Sequence, residues 1–271
     1  MLKKIKGQTV QDGAGVKLNR TIAIPSLDYA DPFFLLDEFR SDNKDDYIAG
    51  FPMHPHRGIE TLTYMVEGSF IHRDSQGNEG SLQAGEVQWM TAGKGILHEE
   101  MPAMEDSHLW GYQIWINLPA NLKMVKPKYR HIKSEDIPVV HKDGVDVKII
   151  SGAYDKVNGP VQSYYPITYL DVRLQNENGV FTKELQGTNL IYVHSGELSV
   201  HSGDEALAAG AGSLVIVEGG SEVQVTGYQA GFLFLAGEPI NEPVARYGPF
   251  VMNTPEEIRQ AFEDYGSGKL A

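Results

Sequence analysis

Cysteine is absent from the 271 residues, which removes disulfide scaffolds, thiolate nucleophiles and cysteine-held zinc or iron–sulfur sites from consideration. Any bound metal must be held by imidazole and carboxylate. Basic residues are also scarce. Against 36 Asp and Glu stand 23 Lys and Arg, for a net charge of −13, and no basic block is longer than Lys3-Lys4. Such a chain has no electrostatic footprint for a phosphate backbone or an anionic membrane surface, so neither nucleic acid nor membrane is expected as a partner. Runs of about 18 apolar residues, the length a bilayer-spanning helix needs, are missing too. The basic start, MLKKIKGQTV, leads into no apolar segment of the signal-peptide kind, and a soluble, cytoplasmic protein is expected.

What the chain does have is 41% hydrophobic residues, enough for one large core or two ordinary ones, and two domains are expected. Its 29 glycines and 14 prolines punctuate short segments such as IETLTYMV, EVQWMT, HLWGYQIWINL, SLVIVEG and AGFLFLAG. These alternate or are rich in β-branched and aromatic residues, the pattern of an all-β sandwich or barrel. One helix is expected, in NTPEEIRQAFEDYG, with Thr254 as N-cap, Pro255 at the first helical position, Glu257 closing a capping box and Gly266 as the stop. The polar stretch YRHIKSEDIPVV interrupts the strand pattern and places a boundary near residues 130 to 140, giving domains 1–132 and 133–271.

The halves echo one another. YMVEG at 64–68 followed by LQAGE at 82–86 matches YVHSG at 192–196 followed by LAAGA at 207–211, as a duplicated barrel would. Counted from these anchors, the second-half equivalents of His54 and His56 are Thr182 and Glu184, which could not hold the same metal.

His54 and His56 stand in FPMHPHRGIETLTYMVEG. In a strand they share one face, close enough to converge on one ion, and Pro55 between them places the pair at a strand start or sheet edge, at the mouth of a barrel. A second pair of the same spacing, His98 and Glu100, follows a glycine-marked turn in GEVQWMTAGKGILHEEMP. On neighbouring inward-facing strands these would bring three imidazoles and one carboxylate together. Alone, a His-x-His pair is a weak motif in a chain with nine histidines. Strand alternation turns Glu99 outward. His72, His108, His131, His141, His194 and His201 lack a partner at ligand spacing and read as ordinary surface or hydrogen-bonded residues. Phe51, Trp89, Met90 and Met101 flank the ligands, as pocket wall or simply as core.

HPHRGIETLTYMVEG and the later Gly-turn-His element resemble the two motifs of the cupin barrel, although TAGKGILHEEM departs from the usual second motif at Thr91 and in its spacing to His98. With DPFFLLDEF and EPVARYGPFVMNTPEEI they resemble, more narrowly, the pirin family of two-barrel cupins, from about residue 18 to the C-terminus. That resemblance implies two cupin barrels face to face, with one iron or similar ion in the first barrel only, on His54, His56, His98 and Glu100. Fe(II) is the first expectation, and Mn, Co, Ni, Cu or Zn also suit imidazole and carboxylate. The resemblance further implies oxidative cleavage of flavonols such as quercetin with O2, with Glu100 as the base that takes the enol proton. Glu60 occupies the carboxylate position of most metal cupins. Its even spacing from His56 places it on the metal face, as an orienting partner or alternative ligand. The alternatives are a non-catalytic, iron-dependent regulator that binds a protein partner, or a barrel kept for small-molecule binding. A monomer is expected.

Overall fold

The computed structural model describes residues 1–103 and 108–271. Strands dominate them, in four larger sheets of seven, four, seven and four strands. In the first half the seven-stranded sheet runs Lys128–Ile132, Val87–Thr91, Ile59–Glu67, Leu109–Asn117, Phe33–Ser41, Val16–Ile22, Gln8–Asp12, and the four-stranded sheet runs Phe51–His56, Ile96–Pro102, Phe70–Asp74, Glu79–Leu82. The second half repeats this order: Leu2–Lys6, Ser213–Val217, Thr188–Ser195, Ala230–Gly237, Ile167–Leu174, Val145–Ser151, Val139–Lys142, and then Val180–Glu184, Glu222–Gly227, Glu197–Ser202, Glu205–Gly210. The duplication in the sequence is therefore a duplication of the whole topology.

The termini break that symmetry. Leu2–Lys6 pairs with Ser213–Val217 and forms an edge of the second half's sheet. The hairpin Ala245–Tyr247 and Phe250–Met252 packs on the first half instead, through the bridge Arg57 to Phe250 and the Val251 N–H bonded to the Arg57 carbonyl at 3.1 Å. A cut between residues 132 and 133 thus does not yield closed bodies, because each terminus lies on the other half. The polar stretch at the boundary also forms more strand than its composition suggests. Lys128–Ile132 and Val139–Lys142 are edge strands joined through the short 3-10 turn Ser134–Asp136.

The two seven-stranded sheets face each other. Alternation turns Leu62 and Tyr64 out of the first barrel and Leu190 and Tyr192 out of the second, into one shared apolar core. Two carboxylates lie at this interface, and each is bonded by a tyrosine of the opposite half. Tyr64 Oη donates to Asp171 at 2.9 Å and Tyr192 Oη donates to Glu38 at 2.7 Å. Tyr64 and Tyr192 are the paired tyrosines of the sequence repeat. Asp171 also meets His194 Nε2 at 3.0 Å, which, with Arg173 and Tyr64, holds its carboxyl down near 2 despite burial.

The C-terminal helix, Pro255–Gly266, forms for the expected reason. Thr254 Oγ1 accepts from the Glu257 N–H at 3.2 Å and Glu257 accepts from the Thr254 N–H at 2.9 Å, a closed capping box. Gly266 is itself helical, and the left-handed residue after it is Gly268, with φ +71. The helix is anchored to the first half by Arg57, whose guanidinium is buried and meets Asp264 at 2.8 Å. Beside it the buried Lys123 amine donates to the carbonyls of Gly58 and Val251 at 3.0 and 2.9 Å and to Asn117 at 2.6 Å. Burial without an adjacent carboxylate pulls this amine down to about 8. Gly58 has φ +83, and a Cβ there would meet the Val251 carbonyl oxygen at 2.0 Å, so only glycine lets the tail lie so close.

Candidate metal centre

Phe51–His56 is an edge strand of its sheet, as Pro55 requires, and pairs with Ile96–Pro102 so that His54 stands opposite His98 and His56 opposite Ile96. All three histidines point into the first barrel. One ring nitrogen from each lies within 4.8 Å of the others, with ring centroids 4.4 to 5.1 Å apart.

The hydrogen bonds around these rings decide where their lone pairs point. His54 Nδ1 is 2.8 Å from the Pro52 carbonyl and His56 Nδ1 is 3.3 Å from the Pro249 carbonyl. A carbonyl only accepts, so both Nδ1 atoms carry the proton and both Nε2 atoms are left bare. Those Nε2 atoms are 3.1 Å apart. Neither can donate to the other, and a neutral pair would place two lone pairs against each other. A cation between them removes that conflict. Both nitrogens of the fully buried His98 lack any partner among the described residues, a costly state for a polar group unless one of them binds something. Burial, with the neighbouring imidazoles, pushes His56 and His98 well below the usual histidine range, so both are neutral at pH 7. Neutral imidazoles with one N–H held by a carbonyl are the state a metal needs.

Glu100 lies two residues beyond His98 on the same inward face, is buried, and is not part of the three-nitrogen cluster. Its Oε1 accepts from Thr63 Oγ1 at 2.8 Å and Gln88 Nε2 at 3.0 Å, and its Oε2 accepts from Gln113 Nε2 at 2.6 Å. Gln113 is itself oriented, since its Oε1 accepts from Trp115 Nε1 at 3.2 Å. Glu99 faces outward, as alternation requires, and pairs with Arg73 at 3.0 Å.

Glu60 corrects the sequence reading. It belongs to the strand Ile59–Glu67, on the side of Leu62 and Tyr64, and accepts from Thr91 Oγ1 at 2.7 Å and from the Tyr164 N–H of the other half. The even count from His56 fails because Arg57 and Gly58 turn the chain between two strands of different sheets. Burial raises the Glu60 carboxyl to about 7. Counting from the repeat also slips by one residue in the second half. There Phe181, not Thr182 or Glu184, turns inward, opposite Val225, and packs with Phe232 and Phe234.

His72, with no partner at ligand spacing in the sequence, also belongs to this interior. It is buried in the first barrel, 5.4 Å from His98 and stacked on Tyr129 at 4.4 Å. Gln88 Nε2 lies within hydrogen-bond reach of His72 Nδ1 at 3.1 Å, linking it to the Glu100 network. Its inward place beside Glu100 on the next strand was the available signal. Of the flanking apolar residues, Trp89 belongs to the inter-barrel core and Met90 packs inside the first barrel with Ile96, while Phe51 lines the way to the histidines. Met101 lies on the half-buried face of its strand.

A cavity of about 540 Å³ opens onto His54 and His56. Trp115 forms one wall, its ring edge-on to His56 at 4.9 Å. Arg20 and Asp37 line it from the first half, and Arg246, Gly248 and Pro249 from the tail of the second.

Residues 15–116 match the family described as Pirin and residues 169–271 match the Pirin C-terminal cupin domain. A pirin-like protein of Caulobacter vibrioides is 43% identical over 100% of this chain and 98% of its own length. Pirin of Homo sapiens is 41% identical over 95% of this chain and 89% of its own. A crystal structure of quercetin 2,3-dioxygenase from Acinetobacter baumannii superposes with a TM-score of 0.88 at 32% identity, covering 99% of this chain and 97% of that one. Both barrels, the order of their strands and the likeness along the full length lead to one assignment: this chain belongs to the pirin family.

Proposed function

We propose that this chain is a metal-dependent dioxygenase that cleaves flavonols such as quercetin with O2. The observation that carries the reading is the pair of proton-free Nε2 atoms on His54 and His56, facing each other at 3.1 Å beside the unpartnered His98. The name of the Acinetobacter relative supplies the substrate class. His54, His56 and His98 would hold the metal with Glu100 as fourth ligand, in a site built on residues 1–132 and roofed by the tail. When bound, a redox-active divalent ion such as Fe(II) would polarise the substrate's enol oxygens and exchange electrons with dioxygen.

The chain's own groups supply the rest. Leu35, Phe51 and Trp115 give the cavity an apolar, flat lining suited to an aromatic ring. Glu100 is the base for the enol proton, because it is the inward carboxylate beside His98 and its hydrogen bonds come from neutral donors. Gln113 would hold one Glu100 oxygen in place while the other exchanges its bond from Thr63 for the substrate proton.

The test is oxygen uptake by Fe(II)-reloaded protein with quercetin, read beside the loss of flavonol absorbance. Both should occur in equal amounts, need the metal, and vanish in His98→Ala. Glu100→Gln should lose turnover by far more than it loses bound iron. Uptake no greater than that of free Fe(II) would reject the enzyme reading.

A further inference from the structure

Two guanidinium groups reach the cavity beside the histidines, and they differ in what already holds them. Arg20 is already paired with carboxylates: its Nε and Nη2 donate to the two oxygens of Asp37 at 2.8 and 2.7 Å, and Nη2 also meets Asp12 at 2.6 Å. Arg246, from the second half, makes one hydrogen bond among the described residues, to the Phe34 carbonyl at 3.3 Å, and its guanidinium lies 5.7 Å from the centre of the Trp115 ring. A guanidinium has five N–H donors, so most of this one's capacity is unused. It is partly buried, which lowers its pKa, and the carboxylates of Asp28, Asp37 and Asp12 act on it through space without pairing with it.

Trp115 connects this group to the metal centre. The indole touches His56 on one side and lies under Arg246 on another. A flat ligand anchored by its enol at the histidines therefore runs along the Trp115 wall, and its far ring arrives at Arg246. We infer that Arg246 is a specificity-determining residue, selecting planar substrates that carry an anionic oxygen, a carboxylate or an ionised phenol, on the ring remote from the metal-binding enol. The inference rests on the flavonol reading above and narrows it. An anionic oxygen there would take up the unused donors in a charge-assisted, forked bond, with the neutral ring stacked on Trp115. It also gives the crossed tail a chemical role, since the described residues of the first barrel contribute no free guanidinium of their own to this cavity.

The test compares two probes, 3-hydroxyflavone and its 4′-carboxylate, titrated anaerobically into the metal-loaded full-length protein and followed by flavonol fluorescence. Wild type should bind the carboxylate about 10-fold or more tighter, the range expected of a hydrogen bond to a charged group. In Arg246→Gln that ratio should collapse to within about twofold, and Arg246→Lys, which keeps the charge and loses the fork, should fall between. Metal content of each variant checks that the fold is retained. In turnover, Arg246→Gln should raise KM for the carboxylate with little change in kcat. Equal binding of the two probes by wild type, or a preference that survives Arg246→Gln, overturns the inference and leaves the flavonol reading intact. Failure of the carboxylate alone to bind overturns the inference, and failure of both probes to bind overturns the flavonol reading with it.

Discussion

In the first barrel the edge strand Phe51–His56 turns His54 and His56 inward, opposite His98 and Ile96; in the second, the strand at the same place, Val180–Glu184, turns Phe181 inward opposite Val225. Around Phe181 the buried filling among the described residues is apolar, with Val193, Val200, Val223 and Phe232, and Tyr154 stacked at its edge. The first barrel is less consistent. It buries the Glu100 and Asp74 carboxylates, the imidazoles of His56, His72 and His98, and Gln88 with an unpartnered oxygen within the same arrangement of strands, with His54 and Gln113 half-buried beside them. One copy of the topology is packed for stability, and the other keeps polar groups that a bound ion and a substrate would satisfy.

The largest effect that could break this contrast is on metal content. Wild-type protein should retain one divalent ion per chain after desalting, and His54→Ala combined with His56→Ala should retain none. An ion that persists in the double variant would show that the second barrel, or another site, binds metal. Next in size, Phe181→Ala should cost about 3 to 5 kcal/mol in urea unfolding through the cavity it leaves, with metal content unchanged. A loss below about 1 kcal/mol would mean that the second barrel is not the tightly packed copy.

Glu60 sharpens the comparison of the two faces of the first barrel's large sheet. Its carboxyl titrates near 7 when folded and near 4.5 when unfolded. Between those values the native state holds a proton that the unfolded state has released, so stability falls as pH rises across that window, by on the order of 3 kcal/mol. Glu60→Gln should flatten that slope and leave bound metal unaffected. Steeper metal loss in Glu60→Gln than in Glu100→Gln would restore the ordinary cupin ligand. Smallest is a gain. Without metal, His98→Leu should raise stability by about 1 to 2 kcal/mol, because it removes two unsatisfied buried nitrogens. A metal-free protein destabilised by that change would show that His98 has partners of its own.

Much of this was legible in the sequence. Period-two segments between glycines specified the strands, Thr254 and Glu257 specified the helix, and the tyrosine-centred repeat revealed the duplication. His54, His56 and His98 were legible because alternation on neighbouring strands sends like-spaced residues to one face. What was hidden depended on non-local placement. Glu60 was misplaced because the left-handed Gly58 turns the strand, and nothing in the count from His56 registers a turn. Thr182 and Glu184 were misplaced because an offset measured at one strand pair need not hold at another once loop lengths differ, and a slip of one residue exchanges the two faces. The roof made by Arg246 and Pro249 could not be read at all, because it depends on the path of a tail far from the histidines in sequence.

That crossing of the termini has a consequence for how the protein is made. Strands of the first barrel lie within residues 8–132 and can pair while the ribosome is still extending the chain, as N-terminal units do. Leu2–Lys6, which emerges before the strands of the first barrel, has to wait for Ser213–Val217. The hairpin carrying Arg246 and Pro249 leaves the exit tunnel later still, after its own barrel. His56 therefore gains its carbonyl partner, and the cavity its second wall, only after the second barrel has been made, so the half-made first barrel is bare on the side where the tail later lies.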